Sequence, residues 1–386
     1  MAIDNKDKKV LNVPHLRFSE FTEEWERKRF KDVCNITTGN KNTQDKSDDG
    51  IYPFYVRSQI VERINSWTFD GEAILTAGDG VGVGKVFHYS TGKIGVHQRV
   101  YILSDFKCDG KYLYSYFAGN FYNRVKRMSA KNSVDSVRME MIADMPISLP
   151  SNEEQKKIGH LLALLDERIA TQNKIIEDLK KLKSAIIEKT FNENYSNKIR
   201  LRDVGSYIRG LTYSSDDVVE SNGIFVMRSN NIINGSLLDY HNNIVSVNKK
   251  ILTEQQLQAG DIIICMANGS SSLVGKSSFY DGGCSTPITV GAFCGIYRSK
   301  EPIVKWLFQT HKYRRYIWNS LQGGNGAIAN LNGDDILCMS FSIPATPAKG
   351  NRIKLLTSVD TLLESNISLC DLYISQKLYL LRQLFI

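Results

Sequence analysis

The chain has 386 residues, of which 42% are hydrophobic and 23% charged, a composition typical of a soluble globular protein with two or three domains. No run of eighteen apolar residues occurs, and the charged N-terminal stretch lacks the apolar core of a signal peptide. The net charge of +8 permits an anionic partner such as DNA without requiring one. The seven cysteines form no C-x-x-C pair and no zinc-binding spacing with histidine, so a reducing cytoplasm, no membrane contact and no bound metal are expected.

In chain order, residues 1–13 are predicted to be a polar tail and residues 14–150 a first domain. Within this domain, the run DGEAILTAGDGVGVGKVFHYS predicts a buried strand, a glycine-rich loop and a second strand. The loop is similar to a phosphate-binding P-loop, but Val86 stands where Ser or Thr is required and a strand, not a helix, is predicted to follow. Nucleotide binding is therefore not expected.

Two stretches rich in aromatic and basic residues, 112–128 and 303–321, predict helices. Aromatic side chains can stack on nucleic-acid bases, but at helical spacing they are more typical of a domain core. We assign six of them to the core: Tyr112, Tyr116, Phe117, Trp306, Phe308 and Tyr313. Short strands combined with such helices predict an α+β fold.

Residues 151–196 contain the first of two predicted long helices. Ser151 followed by Glu154 forms a capping-box pattern at its start. Apolar residues then recur at alternating steps of four and three: Ile158, Leu162, Leu165, Ile169, Ile176, Leu179 and Ile186. This pattern predicts a seam that packs against another helix, interrupted at Gln172 and Lys183.

The partner helix is predicted in residues 346–386, because the same seam recurs 194 residues downstream. The repeated positions are Leu356, Val359, Leu363, Cys370, Tyr373 and Leu380, with Asn366 and Lys377 at the two interruptions. Residues 197–345 likewise repeat the first domain. At about 1.5 Å per residue, helices of about 40 residues are about 60 Å long. We predict an antiparallel coiled-coil spacer in which Gln172 meets Asn366 and fixes the register; the alternative is that each helix packs separately on its own domain.

Three stretches carry a resemblance to a known family: PHLRFSEF with EW, KDV and I.TG near the start, G.AIL followed by G.G.GK, and IADMPISLPSNEEQKKIGHLLALLDERI. Together they resemble the specificity subunit of type I restriction–modification enzymes, over nearly the whole chain. The resemblance implies two tandem target recognition domains, each a small mixed sheet plus helices, separated by an antiparallel helical spacer. The second repeat departs from this pattern, since ATPAKGNRIKLL lacks the Glu-Glu-Gln-Lys-Lys run.

The resemblance also implies function. The subunit would be non-catalytic and would bind a split site in double-stranded DNA. It would recruit two methylation subunits, which bind S-adenosylmethionine, and restriction subunits, which use ATP and Mg. The assembled complex would be an adenine-specific methyltransferase and an ATP-dependent endonuclease, and this chain itself would hold no cofactor.

The repeat sorts the candidate DNA contacts, because residues shared by both repeats suit phosphates and residues that differ suit bases. The shared candidates are Arg57, Ser58, Lys85, Arg228, Ser229 and Lys276, with surface or fold-holding salt bridges as the alternative. The first repeat's reading candidates are Thr76, Asp79, His97, Gln98, Arg99, Lys131, Asn132, Ser133 and Arg138. The second repeat's are Asn230, Asn268, Ser270, Ser271, Ser272, Thr286, Gln322 and Asn325. In this comparison, residues 97–99 are matched to residues 287–289.

Two other functions stay open from the residues alone. One is a self-sufficient methyltransferase or nuclease with a spatially assembled site, which would turn over DNA without a partner. The other is a stand-alone two-domain DNA-binding regulator, which would need no methylation subunits. Purification with partners distinguishes the regulator from the specificity subunit.

Overall fold

The computed structural model describes residues 12–128, 136–191, 195–321 and 329–386. The chain divides into two compact units. The first comprises Met1–Lys174 with Ile367–Ile386, and the second comprises Ile175–Asn366. Among the described residues, no helix is long and apolar enough to cross a membrane.

The described residues of the first unit form ten short strands and three short or medium helices. The strands are β1 (Glu26–Arg29), β2 (Asn35–Thr38), β3 (Tyr52–Tyr55), β4 (Glu62–Ile64), β5 (Phe69–Asp70), β6 (Ala73–Ala77), β7 (Phe87–Ser90), β8 (Lys93–Val96), β9 (Val100–Ser104) and β10 (Pro146–Leu149). The helices are α1 (Phe30–Val33), α2 (Gly110–Met128) and α3 (Met139–Ala143). The long helix α4 (Asn152–Phe191) begins in this unit.

Two four-stranded sheets form the body of the first unit. One has the antiparallel order β2-β9-β6-β7, and the other has the order β4-β3-β8-β5, in which β3 and β8 are parallel. Strands β1 and β10 form a separate antiparallel pair. The core is rich in aromatic side chains, since Phe30, Tyr112, Phe117 and Phe121 are fully buried. Phe385 packs on this core, with its ring 5.2 Å from that of Tyr112.

The second unit has the same kinds of element. Its strands are β11 (Lys198–Arg200), β12 (Gly205–Arg209), β13 (Val218–Val219), β14 (Ile224–Met227), β15 (Val245–Val247), β16 (Ile262–Cys265), β17 (Ala267–Asn268), β18 (Ser277–Phe279), β19 (Ile288–Val290), β20 (Cys294–Ser299), β21 (Ala329–Asn330) and β22 (Ser340–Ser342). Its helices are α5 (Leu201–Val204), α6 (Val304–Leu307), α7 (His311–Leu321) and α8 (Gly333–Leu337), and the long helix α9 (Thr346–Gln383) begins here.

The antiparallel sheet of the second unit repeats the topology of that in the first, whereas the mixed sheet has its parallel pair at the edge instead of in the centre. The orders are β12-β20-β16-β18, all antiparallel, and β13-β15-β14-β19, in which β14 and β19 are parallel. Strands β11 and β22 form one further pair and β17 and β21 another. The core contains Trp306, Phe308, Tyr313 and Phe341, with Phe191 from the end of α4. The predicted core role of the six aromatic residues is confirmed in both units, since all six are buried.

Helices α4 and α9 pair antiparallel within each unit. In the first unit, Lys377 pairs with Asp166, and the Sγ of Cys370 lies 3.5 Å from the Oδ1 of Asn173. Residue numbers therefore rise along α4 as they fall along α9, so the two helices are antiparallel. In the second unit, the Nζ of Lys183 lies 2.8 Å from the Oδ1 of Asp360. The α+β fold with paired long helices is therefore confirmed.

The start of α4 is capped differently from the predicted box. The backbone N–H of Glu154 donates to the Oγ of Ser151 at 3.4 Å, as expected. The carboxylate of Glu154, however, is fully buried and accepts two hydrogen bonds of 2.8 Å from the guanidinium of Arg17. A bidentate charged partner binds a buried carboxylate more strongly than a single backbone N–H does.

Gln172 belongs to the first unit and Asn366 to the second. Gln172 is buried, and the side-chain amide of Asn366 donates to the carbonyl of Leu362 at 2.7 Å. Their role in the register stays a prediction.

Candidate nucleic-acid interface

A tight turn joins β8 to β9 in the first unit. The backbone N–H of Val100 donates to the carbonyl of His97 at 2.9 Å, which leaves Gln98 and Arg99 at the exposed tip. The carbonyl of Arg99 also accepts from Gly78 at 2.8 Å. The backbone of the turn is thus fixed, and at its tip the side-chain amide of Gln98 donates to the Oδ1 of Asn42 at 2.6 Å.

Asp79 lies beside this turn between two arginines. Its Oδ1 is 2.9 Å from the Nη1 of Arg57, and its Oδ2 is 3.7 Å from the Nε of Arg99. Asp79 also forms a backbone bridge with Ser136, so the loop before α3 reaches the same place. Four predicted contact residues, Arg57, Asp79, Gln98 and Arg99, are therefore neighbours on one surface.

His97 supports the turn from inside. It is 5% exposed, and its Nδ1 accepts a hydrogen bond of 3.0 Å from the backbone N–H of Arg99. Its Nε2 lies 3.4 Å from the Oγ1 of Thr43. Burial lowers the pKa of His97, and the positive charge of Arg57 lowers this pKa further. The neutral ring therefore acts as an acceptor that orders the turn.

The second unit has a cleft of about 700 Å³ at the corresponding turn. Its lining residues are Leu211, Thr212, Tyr213, Ser214, Ser215, Arg228, Ser229, Asn230, Ala267, Asn268, Gly269, Gly291, Ala292, Phe293 and Cys294. Four of the predicted contact residues are among them: Arg228, Ser229, Asn230 and Asn268. The cleft thus combines amide, hydroxyl and guanidinium groups with two aromatic rings, those of Tyr213 and Phe293.

The turn in this cleft has the same hydrogen bonds as that of the first unit. The backbone N–H of Cys294 donates to the carbonyl of Gly291 at 2.8 Å, which places Ala292 and Phe293 at the tip. The carbonyl of Phe293 accepts from Met266 at 2.8 Å and from Ala267 at 3.1 Å. The ring of Phe293 is 66% exposed although its backbone is held on both sides.

Residues 97–99 therefore correspond to residues 291–293, and the predicted match to residues 287–289 is wrong. Ile288 and Thr289 lie on β19, where both are buried. Thr286, predicted as a reading residue, lines a separate groove with Gln256 and Tyr280. The prediction was wrong because residues 97–99 and 287–289 both lie next to β-branched residues typical of strands. Residue composition does not show which segment forms the hydrogen-bonded turn.

The strand registers also show that Arg57 and Arg228 do not occupy equivalent positions in the two units. Tyr55 accepts from the N–H of His97 in the first unit, and Met227 accepts from the N–H of Gly291 in the second. Counting onward from these positions, Ser229, not Arg228, corresponds to Arg57. The side chain of Ser229 lies in the cleft, where its Oγ is 3.4 Å from the Nδ2 of Asn268.

Thr76 is a further correction. It was predicted to contact DNA, but its side chain is fully buried in the middle of β6, all five residues of which are buried. A strand covered on both faces has no residue that faces solvent. Thr76 therefore does not lie on the candidate interface.

The remaining predicted residues lie around these turns or outside the described parts. Lys85 is exposed and sits 5.5 Å over the ring of Tyr122, and Arg138 is exposed just before α3. Ser270, Ser271 and Ser272 form an exposed loop after β17, in which the Oγ atoms of Ser270 and Ser272 are 2.8 Å apart.

Lys276 is half-buried, and its carbonyl accepts from Cys265. The Oγ of Ser58 donates to the carbonyl of Ile60 at 3.0 Å. Five predicted contacts fall outside the described residues: Lys131, Asn132, Ser133, Gln322 and Asn325. No cluster of three or more metal-ligating side chains occurs in the parts of the chain that the structure describes.

A comparison with known families gives a match to part of the chain. Residues 22–181 match the family model of the type I restriction modification DNA specificity domain. This stretch covers the strands of the first unit and most of α4. Residues 22–181 are therefore similar to that domain family, in agreement with the resemblance found in the sequence.

Individual relatives agree with this assignment. The chain is 28% identical over 181 residues to the type I restriction enzyme EcoDI specificity subunit of Escherichia coli, a match covering 46% of this chain and 40% of that protein. It is 31% identical over 167 residues to the EcoKI specificity subunit of Escherichia coli strain K12, covering 42% of this chain and 34% of that protein. The matched stretch thus spans less than half the length of these curated relatives.

A solved structure shares the fold over almost the whole chain. The S subunit of a type I restriction–modification system from M. genitalium superposes with a TM-score of 0.65 at 14% identity, covering 97% of this chain and 99% of that one. At this identity the comparison concerns the fold alone.

Proposed function

We propose that this chain is the sequence-recognition subunit of a type I restriction–modification assembly and binds a split site in double-stranded DNA. The observation that carries the proposal is the pair of matched turns, one in each unit, with the same backbone hydrogen bonds and different tips. The first tip carries Gln98 and Arg99, and the second carries Ala292 and Phe293. A shared scaffold with different reading groups suits two different half-sites.

The charges around the turns support this proposal. Arg57 and Arg99 in the first unit and Arg228 in the second are exposed cations, and such groups contact phosphates or guanine edges. Asp79 holds Arg57 and Arg99 in place without a bound partner. Ordering these side chains in advance lowers the entropy lost on binding.

The test of DNA recognition is mapping of methylated bases in a host that expresses this chain with its methylation subunits. We expect one bipartite motif, and we expect Gln98→Ala with Arg99→Ala to relax one half of it while the other half is unchanged. The matched control is Lys107→Ala, which removes another first-unit cation that is not part of the turn. If both half-sites survived the double substitution, this turn would not be a reading element.

We further propose that α9 binds a methylation subunit. In the first unit, five large apolar side chains of this helix are exposed: Leu369, Leu372, Ile374, Leu378 and Tyr379. Leu372 and Tyr379 are seven residues apart, two helical turns, and therefore lie on one face. Large apolar side chains that recur on one face of an exposed helix are typical of a protein interface.

The catalytic roles would then belong to the partners. We propose that S-adenosylmethionine is bound by the methylation subunits and ATP with Mg by restriction subunits, and that this chain is not itself catalytic. The enzyme alternative predicts methyl transfer or cleavage by the purified chain alone, and the regulator alternative predicts purification without methylation subunits. We expect neither. Replacing Leu372 and Tyr379 with serine is expected to abolish co-purification of methylation subunits without lowering the unfolding temperature, and retained co-purification would contradict the α9 interface.

A further inference from the structure

Phe293 is the least expected side chain on the candidate interface. A single exposed apolar residue is ordinary on a protein surface. This ring, however, stands in a cleft whose other side chains include Arg228, Asn230 and Asn268, and its backbone is fixed by the hydrogen bonds of Met266 and Ala267. A rigid backbone that presents a ring to solvent among hydrogen-bonding groups suits contact with a partner that has both polar and apolar features.

The chemistry of the tip indicates which feature that is. In the first unit the tip residues are Gln98 and Arg99, residue types that can hydrogen-bond to purine edges in the major groove. In the second unit, Ala292 and Phe293 take the same two positions. Neither side chain can donate or accept a hydrogen bond. The apolar group that the major groove offers is the C5-methyl of thymine, and alanine and phenylalanine are residues that contact it.

We infer that Phe293 is a specificity-determining residue of the second unit that reads a thymine methyl group in its half-site. This inference rests on the proposed DNA-recognition function and adds to it the kind of base that this turn selects. Asn230, Asn268 and Arg228 lie close enough in the same cleft to contact neighbouring base edges or phosphates. The second unit thus selects by shape and apolar contact at the position where the first selects by hydrogen bonds.

The inference is tested by removing the methyl group and the ring separately. Each thymine of the mapped motif is replaced in turn by deoxyuridine, which lacks only the C5-methyl, in synthetic duplexes. Binding by the full chain with its co-expressed methylation subunits is measured for the unchanged protein and for Phe293→Ala. Burial of one methyl group corresponds to about a fourfold change in affinity.

We expect the unchanged protein to lose about fourfold in affinity at one thymine position, and Phe293→Ala to show no loss there. Leu252→Ala is the control, because it truncates another apolar side chain of the second unit, 62% exposed, that does not line the cleft. It is expected to keep the full thymine effect. Since Phe293 is largely exposed, thermal unfolding of Phe293→Ala is expected to match that of the unchanged protein.

Several outcomes would overturn the inference. They are a half-site without any thymine that responds to the substitution, a Phe293→Ala variant that still discriminates, or increased 2-aminopurine fluorescence showing that the ring enters the base stack. A chain that binds no DNA in the unsubstituted arm would instead overturn the proposed function itself. The two failures are therefore distinguishable.

Discussion

At the scale of single residues, His97 shows how a buried group can set the geometry of an exposed one. Its Nδ1 accepts from the N–H of Arg99, which requires that this nitrogen carry no proton. Burial lowers the pKa of His97 below the ordinary 6.5. The unfolded chain therefore binds the proton first as the pH falls, so the histidine's contribution to stability is complete above about pH 6.5 and declines below it.

We expect the titration of the His97 ring, followed by NMR, to have its midpoint below 6.5. The variant His97→Asn identifies the NMR signals of the His97 ring, because they are absent from its spectrum. It is also the control, since the asparagine oxygen can accept from the N–H of Arg99 but does not titrate. This variant should lose less stability than the unchanged protein between pH 6.5 and the measured midpoint. A midpoint at or above 6.5 would show that the ring is not held neutral by its surroundings.

Residue by residue, the sequence predicted part of the candidate site. It identified Arg57 as a residue type shared by both repeats, and Asp79, Gln98 and Arg99 as residues at which the repeats differ. It missed Phe293, although the signal was present. The offset of 194 residues that relates the long helices also relates Val96 to Val290 and Val100 to Cys294, and applying it would have matched the two turns.

Thr76 was misassigned for a different reason. The run Ala73–Ala77 is nearly continuous in small and apolar residues, which is typical of a strand buried on both faces. A single hydroxyl in such a run more often faces the core than solvent. Arg57 corresponds to Ser229 and not to Arg228, because of the register of β3 against β8 and of β14 against β19. This register depends on backbone hydrogen bonds and could not be obtained from residue types.

At the scale of elements, the two repeats place the same ion pair in different surroundings. In the second unit, Asp360 is 4% exposed. It accepts from the Nε1 of Trp306 at 3.2 Å and pairs with Lys183 at 2.8 Å and Lys305 at 2.9 Å. In the first unit, the equivalent Asp166 is 38% exposed and pairs with Lys377. The two ion pairs hold the same register of α4 against α9, but the pair in the second unit is buried and the pair in the first unit is partly exposed.

We expect Asp360→Asn to destabilise the second unit by about 3 kcal/mol or more, because it leaves the buried ammonium of Lys183 without its carboxylate. The repeat provides the matched control. Asp166→Asn removes the corresponding exposed pair and is expected to cost less than about 1 kcal/mol. Urea unfolding of both variants gives the comparison, and equal costs would show that burial does not strengthen the pair.

Phe385 belongs to the same scale, because it attaches the end of α9 to the core of the first unit. Its ring lies 5.2 Å from that of Tyr112 and 5.4 Å from that of Tyr116, each in an edge-on arrangement. Phe385→Ala is expected to cost about 3 to 5 kcal/mol, as for other buried phenylalanines. Ile386→Ala is the control, since that side chain is largely exposed. Unchanged urea midpoints for Phe385→Ala would show that the first unit does not depend on this residue.

At the scale of the whole molecule, the length of the paired helices is expected to set the gap between the two half-sites. Removing seven residues from each helix shortens that helix by about 10 Å, a length that corresponds to about three base pairs of B-DNA. We expect methylation mapping of a variant with one heptad deleted from both α4 and α9 to show a motif with a shorter gap, or no motif. An unchanged gap would mean that helix length does not determine the spacing. A heptad replaced by a different heptad of equal length is the control.

The position of Leu384 and Phe385 in the first core also constrains the order of synthesis. The ribosome completes residues 14–150 long before it makes these two side chains, with the entire second unit translated in between. The nascent first unit therefore lacks part of its apolar core until translation has passed residue 385, and Tyr112 and Tyr116 stay without this partner during that interval. The first unit is therefore expected to complete its apolar core only after the final segment of the chain has been synthesised.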